Sequence, residues 1–417
     1  MKLADYGIVG NGEIVETTLL QQAIDDCYAN GGGRVVIETG MTILTSTLYL
    51  KENVALHIEQ GAEIKGVEGY ENYPTLNEPG TGVYKALIYA KDKNNIFITG
   101  HGKINGNGAS FIVEDLRYIY ALKGEPRVTL IYIENCNNLV ISDITIYNCA
   151  YWTIHPAGCD GVYINNIKIL QDLKMPNADG IDPDHCKNVI IRGCHIESGD
   201  DCIVLKNTHY NKRYGGTNNV VVSDCVLIST SAGLKIGTES HGDFHNIAIS
   251  NCVISDSNRG LSIQLRDTGN VSNVNFSNMV INTRRFHDKW WGKGEPIAIT
   301  AYPRGNDVDV GTINNIMFSN IICNSENAIF ISGEENKISD IYFNHIIHEI
   351  SVNSRWTEHF YDRRPSMGEE HAGLFKGKLV GMYTNNISNL HIRDYVLKNK
   401  DIHKYNEEHD TELCRSA

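Results

Sequence analysis

Hydrophobic and polar positions recur along this chain with two periods at once. The short period is two. The runs "NNLVISDITI", "KNVIIRGCHI", "NNVVVSDCVL", "HNIAISNCVI", "SNVNFSNMVI" and "NNIMFSNIIC" alternate apolar and polar residues, with Val and Ile prominent. That alternation predicts strands with one buried face. The long period is mostly 22 to 31 residues: an Asn returns at 138, 188, 219, 246, 273 and 315. In each copy a small or apolar residue follows the first apolar one by five places: Ile144, Cys194, Cys225, Cys252, Met279 and Ile321. Weaker copies surround Asn95, Val162, Ile341 and Asn389.

No helical pattern of 10–15 residues separates the copies, so they are not strand–helix–strand units. A strand-bearing repeat of about 25 residues is one coil of a solenoid. The expectation is an all-β protein, a single right-handed parallel β-helix. One coil cannot bury its apolar face alone, but stacked coils bury a continuous core and align like residues in ladders. The recurring Asn is expected at a turn, bonding its counterparts. The recurring Cys is expected to fill core. "TTLLQQAIDDCYANGGG" reads as a helix with Thr near its start and Gly at its end, capping the open end of the stack. The division expected within this one domain is a cap with first coils over 1–65, main coils over 66–350, and a last coil with a polar tail over 351–417.

Composition narrows the function. The formal charge is −13, the wrong sign for sequence-independent nucleic-acid binding. No apolar stretch approaches the roughly 20 residues a membrane span needs. The N-terminus lacks the basic and apolar regions of a signal peptide, which together with eleven scattered cysteines and no CxxC pair points to reduced, buried thiols and a cytoplasmic setting. A secreted setting would follow if a leader had been removed. None of these patterns encodes the oligomeric state.

Candidate chemistry concentrates in "NADGIDPDHCKNVIIRGCHIESGDDCIVLK", residues 177–206. Asp179 precedes Asp200 and Asp201 by close to one coil length, and neighbouring parallel strands lie about 4.8 Å apart. The three carboxylates should therefore converge on one outer face. Crowded carboxylates cannot all ionise freely, so one keeps its proton while another stays charged. Glycoside hydrolysis needs that pairing of an acid for the leaving oxygen and a base for water. The same aspartates could instead be turn residues or a calcium site; Asp182 and Asp184, flanking Pro183, are expected to be structural.

At these residues the chain resembles glycoside hydrolase family 28, the polygalacturonase-like pectinases. Asn177-Ala178-Asp179 matches the family's Asn-x-Asp, Gly199-Asp200-Asp201 matches its Gly-Asp-Asp, and the contexts "YWTIHP", "DGIDPDHC" and "SGDDCIVLK" look like bacterial members. The resemblance spans roughly residues 5 to 345. It implies a right-handed parallel β-helix and an inverting hydrolysis without a metal or other cofactor. Asp200 would be the general acid, and Asp179 and Asp201 would hold and activate water. Inversion implies roughly 6.5–9.5 Å between acid and base carboxyls. Two family motifs are not intact. Ser231-Ala232-Gly233 stands where polygalacturonases have Gly-His-Gly, and Ser262-Ile263-Gln264 stands where they have Arg-Ile-Lys. The cations that grip a substrate carboxylate are thus displaced, and the sugar at the leaving-group side is either neutral, such as rhamnose, or a uronate held in another way.

Around the triad, the expected substrate contacts are Asn177, His155, Lys206, Lys235, Arg259, Gln264, Arg266, Trp290 and Trp291. Lys235, Arg259 and Arg266 are the nearest cations to the displaced motifs. Trp290 and Trp291 sit in a Gly-rich loop where an aromatic face can stack on a sugar, with core packing as the alternative. His155 is either a substrate contact or a turn residue. His241 and His245 have i, i+4 spacing without a helix beneath them, so a zinc pair is not expected there. The expected partner is an oligo- or polysaccharide of pectin type, cleaved from chain ends, with no nucleic acid and no membrane. The rival readings are a calcium-dependent β-helix lyase and a non-catalytic carbohydrate-binding β-helix.

Overall fold

The computed structural model describes residues 3–77, 82–123, 127–287, 290–353, 355–356, 358–363 and 373–399. The tail expected from Lys398 lies almost wholly outside them. The chain forms two compact units: Met1–Asp200 with Tyr210–Gly215, and Asp201–His209 with Gly216–Ala417. Both show the parallel coils of the right-handed parallel β-helix expected from the repeat. Among the described residues no helix is long and apolar enough to cross a membrane.

In the first unit, strands Asn94–Thr99, Asn137–Ser142, Asp160–Asn165 and Lys187–Arg192 pair in parallel and in register. Ile96, Leu139, Val162 and Val189 face one another across these pairs, and so do Ile98, Ile141, Ile164 and Ile191. All eight are buried. Side chains at period two therefore become columns at period one coil, each fully buried aliphatic contributing about 1.5–3 kcal/mol. A second parallel sheet joins Leu48–Tyr49, Ala86–Lys91, Thr129–Glu134 and Ile154–Ala157. One side of it carries Ile88, Ile131 and Ile154. The other carries the aromatic row Tyr89, Tyr132 and His155, and beyond it Lys91 and Glu134. That polar row marks the side turned away from the solenoid interior.

Helix Thr17–Ala29 packs Leu20, Ala23, Ile24 and Cys27 onto the first coils. Its start is tied down by Glu16, whose carboxylate accepts the backbone N–H groups of Val9 and Gly10, and by the Thr17 hydroxyl, which accepts the Ser46 N–H at 2.8 Å.

The second unit repeats the logic with longer strands. Val271–Thr283, Ile313–Ser325, Ile338–Ile350 and Ile387–Asn399 stack in parallel. Phe276, Phe318 and Phe343 form an aromatic column at 5.0 and 4.9 Å between ring centres. A separate sheet contains Ile203–Asn207, Ala232–Ser240, Arg259–Leu265, Ile297–Ala301 and Ile329–Gly333. An antiparallel pair, Phe360–Asp362 with Leu374–Lys376, interrupts the pattern before the last coil.

The repeated Asn residues do what the period predicts. Asn138, Asn188, Asn219, Asn246, Asn273 and Asn315 all adopt left-handed backbone angles, φ between 53° and 61°. Asn tolerates that region because its short polar side chain bonds locally. Their amides then bond along the stack: Asn138 to Asn95 at 2.8 Å, Asn273 to Asn246 at 3.3 Å, Asn315 to Asn273 at 2.7 Å. Cys194, Cys225 and Cys252 are buried, and the ten described cysteines are all free thiols.

Candidate active site

The acidic residues are set by one close turn contact. A side-chain carbon on Gly199 would fall 2.1 Å from the Met175 carbonyl oxygen, so only glycine lets the Ser198–Asp200 backbone approach the 172–176 turn. Ser198 secures the approach by donating its hydroxyl to the Ala178 carbonyl at 2.5 Å. Asp179 and Asp200 are nearly buried, at 2 % and 4 % exposure, and present carboxylate oxygens within 4.8 Å of each other. That gap is shorter than the 6.5–9.5 Å expected for an inverting pair. Oxygens no farther apart than this gap can both be reached by one water through hydrogen bonds of about 2.8 Å. The same two oxygens are also spaced to share a hard cation.

Asn177 and Arg127 support Asp200. Asn177, in the left-handed region at φ 53°, donates its amide to Asp200 Oδ2 at 3.3 Å. Arg127 donates to Asn177 Oδ1 at 2.7 Å, to the Pro176 and Ala150 carbonyls, and stacks over the Tyr151 ring at 4.7 Å. Sequence reasoning missed Arg127. It lies two coils upstream, just ahead of strand Thr129–Glu134, in a stretch with no motif.

In the second unit, Asp201 is held as an anion. Its Oδ1 accepts the Ser231 hydroxyl at 2.7 Å and the Ala232 N–H at 3.1 Å; its Oδ2 accepts Lys235 Nζ at 2.6 Å. Burial alone would raise its pKa, but the charges of Lys235 and Lys206 and these hydrogen bonds hold it below the usual carboxylate value. Ser231 and Lys235, next to where the related motif carries a His, thus occupy both oxygens. Trp291 extends the network by donating its indole N–H to the Ser231 hydroxyl at 2.9 Å. Its ring stacks on Trp290 at 4.2 Å.

Several expected substrate contacts lie elsewhere. His155 is fully buried, 3.1 Å from Asp184 and packed against Tyr132 and Trp152, so its ring is sequestered from any sugar. Asp184 also accepts Asn211 and is held down to about 2: burial opposes ionisation, and the His155 hydrogen bond and charge outweigh it. The structural role expected for Asp184 follows from that network. Arg259 is enclosed in an ion pair with Glu295 at 3.1 Å and a bond to the Asp362 carbonyl, which commits its guanidinium to the loop framework. Trp290 is buried and serves as the platform for Trp291 rather than as an open sugar surface. Lys235 is engaged with Asp201. Gln264 and Arg266 follow on the next coil, Gln264 opposite Gly237, with both side chains nearly buried.

With this geometry in place, the comparisons with known proteins fit it. The family model described as glycosyl hydrolases family 28 matches residues 37–354, and the chain belongs to that family. It is 29 % identical to a probable polygalacturonase of Vitis vinifera, over 58 % of this chain and 52 % of that protein. It is 24 % identical to an endo-polygalacturonase of Pectobacterium carotovorum, over 54 % of this chain and 64 % of that one. The chain spans about half the length of the curated relatives it matches. Among solved structures, a hyperthermoactive exopolygalacturonase of Thermotoga maritima superposes with a TM-score of 0.72 at 23 % identity, covering 95 % of this chain and 91 % of that one. These structures share the fold.

Proposed function

We propose that this protein is a glycoside hydrolase acting on pectin-type oligosaccharides, with galacturonan or rhamnogalacturonan fragments as substrates. The observation that carries this reading is the pair Asp179 and Asp200, two nearly buried carboxylates within reach of one water, in a chain of family 28. In this reading, taken from the likeness to family 28, Asp200 protonates the leaving oxygen and Asp179 and Asp201 hold and activate the attacking water; inversion rests on that likeness and not on the carboxyl spacing. Asp201 suits the ionised role because Lys235 and Ser231 stabilise its charge. Trp291, Lys206, Gln264 and Arg266 are the side chains proposed to meet the sugar.

We further propose exo action. Burial in the first unit supports it: Val83, Ala86, Tyr89, Tyr132 and Ala157 form one buried cluster with Leu76 packed against it, and His155 is fully buried as well. Enclosed in this way, these side chains offer a sugar chain no surface, which favours cleavage near one end.

The deciding experiment incubates the protein with homogalacturonan and rhamnogalacturonan oligosaccharides and follows products by NMR and chromatography. Release of one small unit at a time, with inverted anomer first, is expected. A ladder of internal fragments would overturn exo action, and a retained anomer would overturn inversion. An unsaturated product absorbing in the ultraviolet and lost with chelator would replace hydrolysis by a lyase reaction through the same carboxylates.

A further inference from the structure

The geometry assigns to Arg127 the role of positioning residue for the proposed acid, through the Asn177 amide. This inference rests on Asp200 being that acid. An arginine side chain has only donors, so the atom of Asn177 that meets it at 2.7 Å must be the carbonyl oxygen. The amide has two ends. With its oxygen turned to Arg127, only its NH2 can meet Asp200 Oδ2, at 3.3 Å. An NH2 group requires an acceptor, and the carbonyl oxygen of a carboxyl accepts better than its hydroxyl oxygen, so the contact favours Oδ2 as the accepting oxygen and the transferable proton on Oδ1. Arg127 thereby selects which oxygen of the acid faces the leaving group with a proton.

The guanidinium is equipped to impose that choice. It is nearly buried, held by the Ala150 and Pro176 carbonyls, and stacked on Tyr151. Its Pro176 contact is to the residue preceding Asn177, so backbone and side chain of the Asn are fixed by one cation. Without it, the amide can turn over and offer its oxygen to Asp200. The acid would then spend its proton on Asn177 instead of on the sugar.

The test uses leaving-group dependence. Natural oligosaccharides leave as poor alkoxides and need the proton; a nitrophenyl glycoside of the released sugar leaves readily without one. In Arg127→Gln, kcat on the oligosaccharide is expected to fall at least about tenfold at little-changed KM, with the nitrophenyl glycoside nearly unaffected. Equal losses on both substrates would reduce Arg127 to a framework residue and overturn the inference. Asn177→Ala is expected to show the same selective loss, and adding Arg127→Gln to it should cost little more. Additive losses would overturn the coupling, and Asn177→Ala alone carries the test if Arg127→Gln does not fold. Asp200→Asn separates the two layers. Selective loss in Asp200→Asn with none in Arg127→Gln sinks only the positioning role, whereas full oligosaccharide turnover in Asp200→Asn sinks the acid assignment beneath it.

Discussion

Lys235 Nζ stands 2.6 Å from Asp201 Oδ2, and both side chains are nearly buried. The two occupy consecutive coils, Lys235 opposite Val204 and Asp201 two residues ahead of strand Ile203–Asn207. The lysine lies two places after the Gly233 of the motif that lacks its His. A short cation–carboxylate contact in a dry site keeps Asp201 charged where burial would otherwise neutralise it.

Lys235→Met should leave a buried carboxylate without its cation. Breaking one side of such a pair typically costs about 3–5 kcal/mol, readable as a lower urea midpoint. Loss of the cation also raises the Asp201 pKa. If Asp201 works ionised, the acidic limb of kcat/KM moves to higher pH; a stationary limb removes Asp201 from the ionised role.

Trp291 offers a graded probe. Trp291→Phe keeps an aromatic face against Trp290 and deletes the indole N–H that reaches Ser231. Trp291→Ala deletes both. If the ring stacks on a sugar, KM should rise severalfold more for Ala than for Phe. Equal KM values would show that only the N–H matters.

Arg259 should behave as framework. Arg259→Leu strands Glu295, and an unfolding measurement should register about 3–5 kcal/mol of lost stability. At temperatures where the variant stays folded, its KM should match the parent. A KM raised tenfold or more would return Arg259 to the substrate.

Asp184 gives a pH signature. Its folded pKa, about 2, lies below the unfolded value of roughly 3.9, so its contribution is complete above the unfolded value and lost as pH falls through the folded one. The stability gap between the parent and Asp184→Asn should therefore be full at pH 5 and shrink between about pH 4 and 2. A constant gap over that window would show that the carboxylate's charge contributes nothing.

Much of this architecture was readable from spacing. Alternating Val and Ile within runs, and an Asn at each coil, determine strands, turns and ladders, because both are local or periodic constraints. Gly199-Asp200-Asp201 and Asp179 were readable for the same reason: one coil length separates them. What only the tertiary structure decided is which cation meets which carboxylate. Lys235 binds Asp201, Arg259 binds Glu295, His155 binds Asp184, and Arg127 reaches Asn177 from 50 residues away. Long side chains span several ångströms in directions that periodicity leaves unset. Their partners are chosen by burial, which drives an enclosed charge to a counter-charge or to hydrogen-bond acceptors, and no repeat in the chain records that choice.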